Sequence, residues 1–279
     1  MNKPQTRKAG VIGWPVGHSL SPLIHGTWAA REGADICYER IPVEPDYAAF
    51  AEKIEQLRAA GYRGVNVTIP HKEHALKIAD SASQTAQAVS AANMLTFSDE
   101  GLFADNSDVE GFAAALRART PEEGKRAMAL VLGAGGGAKG VLYALEEKLG
   151  AERIIISNRT RARAEALGAE VADWSARTKI AAEADIIVNT TPLGMTGNPQ
   201  LDFDCNCLKP GAIVFDIVYS PLETPLLKAA KARGLRTVDG LEMLMRQAVP
   251  GYRAWLGAKA EIDADLRSRL EAALKGGAR

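Results

Sequence analysis

The chain has 279 residues, 47% of them hydrophobic, which is enough to bury a core without staples and, at a soft prior of about 150 residues per domain, enough for two domains. Lysine plus arginine number 34 and aspartate plus glutamate 34, so no overall field draws the chain to nucleic acid or an anionic membrane, and any anionic ligand must be caught locally. Cys37, Cys205 and Cys207 are odd in number without Cys-x-x-Cys spacing, residues 1–9 lack the apolar stretch of a secretory signal, and no run approaches the roughly 18 apolar residues of a membrane span. Together these predict a cytoplasmic protein.

In chain order, apolar runs at 10–13, 36–43 and 65–69 alternate with helical patterns at 22–32, 47–60 and 72–79, the alternation of a largely parallel sheet covered by helices. Residues 93–106 place Met94, Leu95, Phe97, Leu102 and Phe103 around the turn Ser98-Asp99-Glu100-Gly101 and read as a hairpin. A helix over 109–119 follows, and Thr120-Pro121 with Gly124 breaks the pattern. A second β/α series has strands at 127–132, 153–157, 185–190, 212–216 and 235–238, with helices at 138–149, 161–167 and 225–233. Helical patterns at 241–255 and 262–274 have no strand after them and are expected to fold back onto the first domain.

The strand at 128–132 runs into Gly133-Ala134-Gly135-Gly136-Gly137-Ala138, a G-x-G-x-x-A turn opening a helix near Lys139. Gly133 permits the tight turn, Gly135 lets the backbone approach a pyrophosphate, Ala138 keeps helix and strand close, and the helix start offers free N–H donors. Where an NAD site carries a carboxylate for the ribose 2′-hydroxyl, the next strand ends in Ser157-Asn158-Arg159-Thr160-Arg161-Ala162-Arg163. Guanidinium groups suit a 2′-phosphate, so the expected cofactor is NADP.

Two further motifs carry polar chemistry. In Gly17-His18-Ser19-Leu20-Ser21-Pro22, Ser21 is placed as N-cap and Pro22 as first helical residue, which puts two hydroxyls beside a positive helix end able to hold a carboxylate; a Ser-Pro pair there also serves as a plain cap. In Asn66-Val67-Thr68-Ile69-Pro70-His71-Lys72, Asn66 and Thr68 share one strand face and Lys72 sits just past the strand end, where a helix dipole and partial desolvation can lower a lysine pKa towards neutrality. A surface charge is the alternative for such a lysine. His71 and His74 lack a third ligand at a recognisable spacing, so no metal is expected.

Taken together with Ala91-Ala92-Asn93, Asn106-Ser107-Asp108, Asn158-Arg159-Thr160, Asn189-Thr190-Thr191-Pro192, Asp216-Ile217-Val218-Tyr219 and the segment 239–247, these motifs resemble, in order, those of the shikimate dehydrogenase family. The resemblance implies an α/β fold with an N-terminal substrate domain (1–107), a Rossmann-type NADP-binding domain (108–239), C-terminal helices (240–279) that return to the first domain, and a cleft between the domains. It implies interconversion of 3-dehydroshikimate and shikimate in chorismate and aromatic amino acid biosynthesis, acting on a small molecule as monomer or homodimer. By position, Lys72 and Asp108 are the catalytic pair. Ser19 and Ser21 hold the carboxylate, with Asn66, Thr68, Asn93, Tyr219 and Gln247 around the substrate. The cofactor falls to residues 133–138, Asn158, Arg159, Thr160, Arg163 and Thr190, with Gly240 and Met243 near the nicotinamide.

Three positions depart from the family pattern: Met94 after Asn93, Ser107 in place of threonine, and Val249-Pro250-Gly251 after Gln247, a Pro-Gly pair expected to break or kink the last helix. Two other readings compete. One is a quinate/shikimate dehydrogenase using NAD, against which the arginines argue; the other is a non-catalytic sensor that binds dinucleotide or shikimate, against which Lys72 and Asp108 argue.

Overall fold

In the computed structural model of the protein, which describes residues 6–119 and 128–276, the alternating apolar segments form two separate six-stranded sheets. The break expected at 120–124 and the strand residue expected at 127 lie outside the described residues. The chain divides into two units, one of Met1–Ser107 and Gln247–Ala273, the other of Asp108–Arg246 and Leu274–Arg279.

The first unit runs β1 (Arg7–Gly13), α1 (Ser21–Glu32), β2 (Ile36–Pro42), α2 (Tyr47–Ala59), β3 (Tyr62–Val67), α3 (Lys72–Ile78), β4 (Ser81–Ala82), α4 (Gln84–Ala88), β5 (Met94–Ser98) and β6 (Gly101–Asp105). Its sheet order is β2-β1-β3-β5-β6-β4. β1 pairs in parallel with β2 and β3, while β5 runs antiparallel to β3 and to its hairpin partner β6. One face of the sheet carries Ile12, Val65, Val67 and Leu95 against Phe50 and Ile54 of α2 and Ala75 of α3, all buried. Because strand side chains alternate, Gly64 and Asn66 belong to the other face.

The second unit takes up α5 (Ser107–Arg119) after its first residue, then β7 (Met128–Leu132), α6 (Gly136–Tyr143) with a π turn at Ala144–Lys148, β8 (Arg153–Ser157), α7 (Arg161–Glu165) and β9 (Glu170–Ala172). A 3-10 turn (Trp174–Ala176), α8 (Arg177–Ala181), β10 (Ile186–Asn189), a second 3-10 turn (Cys205–Cys207), β11 (Ile213–Asp216), α9 (Pro225–Ala232) and β12 (Arg236–Asp239) complete it. The sheet is parallel throughout, in the order β12-β11-β10-β7-β8-β9. Starting from β7, the chain builds outward to β9, then returns to the other side at β10, so the crevice where strand order reverses opens beside the C-terminal end of β7.

α10 (Gly240–Trp255) starts in the second unit and ends in the first, and α11 (Ala264–Gly276) follows it. Contrary to the sequence expectation, Pro250-Gly251 does not break α10. Proline removes one helical hydrogen bond and costs about 3 kcal/mol, but Ala248, Tyr252, Trp255 and Leu256 around it are all buried, and each large apolar side chain returns about 1.5–3 kcal/mol. Trp28 of α1 donates to the Glu261 carbonyl at 2.7 Å, and Trp255 donates to Thr96 Oγ1 at 2.9 Å.

Trp255 lies on the backbone of β3: a Cβ at Gly64 would stand 2.2 Å from its indole and 2.6 Å from the Leu95 carbonyl oxygen. Gly64→Ala is therefore expected to lower the unfolding free energy by about 1–3 kcal/mol in a urea titration. An unchanged midpoint would place Trp255 elsewhere.

Candidate functional site

In the first unit the polar motifs collect at the ends of β1 and β3 and at the start of α1. Ser19 Oγ accepts the Ser21 N–H at 3.3 Å and donates to Ser21 Oγ at 3.2 Å. This local turn corrects the expected cap: Leu20, with φ −87° and ψ −4°, is the N-cap, its carbonyl takes the N–H groups of Leu23 and Ile24, and Ser21 and Pro22 are already helical. Neither hydroxyl is spent on capping, so the pair is left beside the helix start. The Arg40 guanidinium donates twice to the Ser19 carbonyl, at 3.0 and 2.7 Å, and fixes the turn from outside.

Asn66 is buried, accepts the Tyr38 hydroxyl proton at 2.7 Å and donates to the Asn93 carbonyl at 3.3 Å. Thr68 is half-buried, and its methyl occupies the space where Gly13 lacks a Cβ, 2.4 Å from that position. Lys72, also half-buried, is the first residue of α3. Beside it His71 is fully buried, bonded at Nε2 to the Val43 carbonyl (2.8 Å), stacked on Phe50 and 3.2 Å from His74, and burial holds its pKa below the usual histidine value. That pair is packing, and among the described residues no group of three or more His, Cys, Asp or Glu could hold a metal.

Asn93, 2% exposed, donates to Gln247 Oε1 (3.0 Å) and Ser107 Oγ (3.1 Å) and accepts the Ser107 N–H (2.7 Å); Ser107 Oγ donates to the Gln247 carbonyl (2.8 Å). Ser107 thus uses the hydroxyl that it shares with the expected threonine.

The second unit gathers its motifs at the crevice beside β7. Gly133 has φ +106°, and a Cβ there would press on Thr190 Oγ1 at 2.8 Å and Thr191 Cγ2 at 2.7 Å, so only glycine fits. α6 begins at Gly136, two residues before the expected start, with Gly135 as N-cap and Ala138 fully buried. No other atoms lie within 4 Å of a Cβ position at Gly135 or Gly136, which leaves that side of the turn after Ala134 open, while Gly137 packs against Ile217. Thr190 is buried and donates to the Leu132 and Gly133 carbonyls at 2.9 and 3.2 Å, holding the loop from below.

Of the arginines after β8, Arg161 is committed to Glu165 (2.8 Å) and Asp173 (2.7 Å), which removes it from the anion-binding cluster read in the sequence. Arg159, Thr160 and Arg163 are exposed, and Asn158 Nδ2 donates to the Thr160 carbonyl at 2.8 Å. Asp108 lies on α5 against Gly140 of α6. Tyr219 and Met243 are half-buried, burial pushes the Tyr219 hydroxyl pKa up, and Gly240 is pressed on the Ile217 carbonyl, 2.2 Å from where a Cβ would sit.

Comparison with known proteins agrees with both halves. Residues 11–95 match the model of the shikimate dehydrogenase substrate binding domain, and residues 115–194 that of shikimate / quinate 5-dehydrogenase. A shikimate dehydrogenase (NADP(+)) of Mesorhizobium japonicum is 48% identical over 96% of this chain and 97% of its own. The chain belongs to the shikimate dehydrogenase family. Among solved structures, the shikimate 5-dehydrogenase of Thermus thermophilus in complex with NADP(H) and shikimate superposes with a TM-score of 0.83 at 33% identity, covering 97% of this chain and 99% of that one. The quinate dehydrogenase of Corynebacterium glutamicum in complex with NAD gives 0.84 at 29% identity, covering 97% and 99%.

Motif reading in this shikimate dehydrogenase family member missed Tyr38, His25 and Arg40, which carry no spacing signal; only the i, i+4 relation of Ser21 and His25 hinted that they share a helix face. It noted Asp216 without a role. Asp216 is fully buried and accepts from Asn189 Nδ2 (3.0 Å), Val218 N–H (3.1 Å) and Thr224 Oγ1 (2.7 Å), pinning the ends of β10 and β11 to the cap of α9. Burial outweighs these donors and raises its pKa from 3.8 to about 6. The folded chain thus favours the protonated form, and that stability is complete below the unfolded value and lost as pH rises through about 6. Between about pH 4 and pH 8 the wild type is expected to lose about 2 kcal/mol of unfolding free energy relative to Asp216→Asn. Parallel pH profiles of the two proteins in urea would refute this.

Proposed function

We propose that this chain is an NADP-dependent shikimate dehydrogenase, catalysing the reversible reduction of 3-dehydroshikimate to shikimate in the pathway to chorismate and the aromatic amino acids. One conjunction carries the reading: a dinucleotide-ordered sheet whose 133–138 turn is open to a ligand, in a chain 48% identical, almost end to end, with a shikimate dehydrogenase (NADP(+)).

The residues fit the cofactor. The open turn and the first N–H groups of α6 suit a pyrophosphate, with Thr190 holding the loop; Asn158, Arg159, Thr160 and Arg163 would hold a 2′-phosphate, and Gly240 and Met243 would face the nicotinamide. When bound, NADPH supplies the hydride. The proton comes from the chain itself, since Lys72 Nζ delivers it to the carbonyl oxygen and Asp108 orients or exchanges it. Ser19 and Ser21 hold the carboxylate, and Asn66, Thr68, Asn93, Tyr219 and Gln247 surround the ring. The substrate is small, the acting form a monomer or homodimer, and the three free cysteines suit a reducing cytoplasm. No helix among the described residues is long and apolar enough to cross a membrane.

The quinate dehydrogenase likeness keeps a second reading in view, quinate with NAD. Following reduced nicotinamide absorbance with shikimate or quinate and NADP(+) or NAD separates them. Shikimate with NADP(+) is expected to give the highest kcat/KM, and Lys72→Ala to lower kcat by about 10²- to 10⁴-fold. Equal or better kcat/KM with NAD would overturn the 2′-phosphate assignment, and shikimate binding without turnover would favour a sensor.

A further inference from the structure

A line of hydrogen bonds that neither motif announces runs through Asn66: Tyr38 donates to Asn66 Oδ1 (2.7 Å), and Asn66 Nδ2 donates to the Asn93 carbonyl (3.3 Å). The Asn93 carbonyl, which can only accept, keeps Nδ2 on its side, so Oδ1 faces the phenol and takes its proton, and the amide nitrogen has a second N–H to offer.

We propose that Tyr38 is a positioning residue for the substrate site: its hydroxyl holds Asn66 by the amide oxygen while the Asn93 carbonyl holds the amide nitrogen, and the amide so fixed presents its remaining N–H to substrate. This rests on the activity proposed above. Asn66 is 7% exposed, so loss of the phenol leaves a buried acceptor that water replaces poorly. A donor at position 66 suits a ligand rich in acceptor oxygens, as a carboxylated polyol is.

The Tyr38 ring lies flat on His25, centroids 4.1 Å apart and planes 12° apart. His25 is fully buried, neither ring nitrogen reaches a partner in bonding geometry, and burial, against a weaker pull from Asn66, lowers its pKa to about 3. Tyr38 therefore rests on a neutral aromatic platform that also meets Trp28 edge-on at 5.8 Å. A phenylalanine at position 38 keeps that stack and removes only the oxygen.

The test is steady-state kinetics on the wild type, Tyr38→Phe, Asn66→Ala and the double variant, with shikimate and NADP(+) varied in turn. Tyr38→Phe is expected to raise the shikimate KM about tenfold while the NADP(+) KM stays within about twofold, and the double variant to be no worse than Asn66→Ala alone. An unchanged shikimate KM, additive losses in the double variant, or a parallel rise in the NADP(+) KM would each overturn the positioning role and leave the activity standing. No turnover of shikimate by the wild type would overturn the activity and the role together.

Discussion

The chain leaves its first unit after Ser107 and re-enters it at Gln247, and these two residues are bonded to each other through the Ser107 hydroxyl and the Gln247 carbonyl. Asn93, at the head of the hairpin, holds both. Ser107 and Asn93 are buried, so each bond that failed would strand a polar group at about 1–3 kcal/mol. The same knot sets two side chains assigned to the substrate, Asn93 and Gln247, and starts the helix that carries Asp108. Closure of the first unit and placement of its polar groups are therefore one problem with one solution, and the sheet, the Trp255 seat on Gly64 and the return of the last helices all presuppose it.

A chain of no net charge has to hold anions by direction and not by field. In the function proposed above, the means in the first unit is a hydroxyl pair freed from capping, and in the second a turn that only Gly133 can make, with open space at Gly135 and Gly136. Fixed hydrogen-bond donors discriminate by geometry, and the proposed activity needs this, since shikimate and quinate carry the same charge. On the same proposal, the exposed Arg159 and Arg163 supply the charge by which a 2′-phosphate distinguishes one dinucleotide from another.

Where a residue pattern is local, the sequence was a good guide: the β/α alternation, the hairpin at 93–106 and the glycine turn follow from periodicity and from residues that only certain backbones accept. It was silent where long-range packing decides. β4, α4, β9 and α8 are too short to have a period, and the line from Tyr38 through Asn66 to Asn93 joins two strands and the head of the hairpin with nothing in the spacing to announce it. Three local rules were overridden. Ser19, by taking the Ser21 N–H, moved the cap to Leu20; Pro250 stayed helical because its neighbours are buried; and Arg161, read as part of an anion site, found Glu165 and Asp173 instead.

The knot is tested most directly by calorimetric titration of shikimate into Ser107→Ala and Ser107→Thr without cofactor. If the hydroxyl holds Gln247 and Asn93 in place, the alanine variant binds shikimate about 5- to 10-fold more weakly than wild type and the threonine variant binds within about twofold of it. Wild-type affinity in Ser107→Ala would contradict the account.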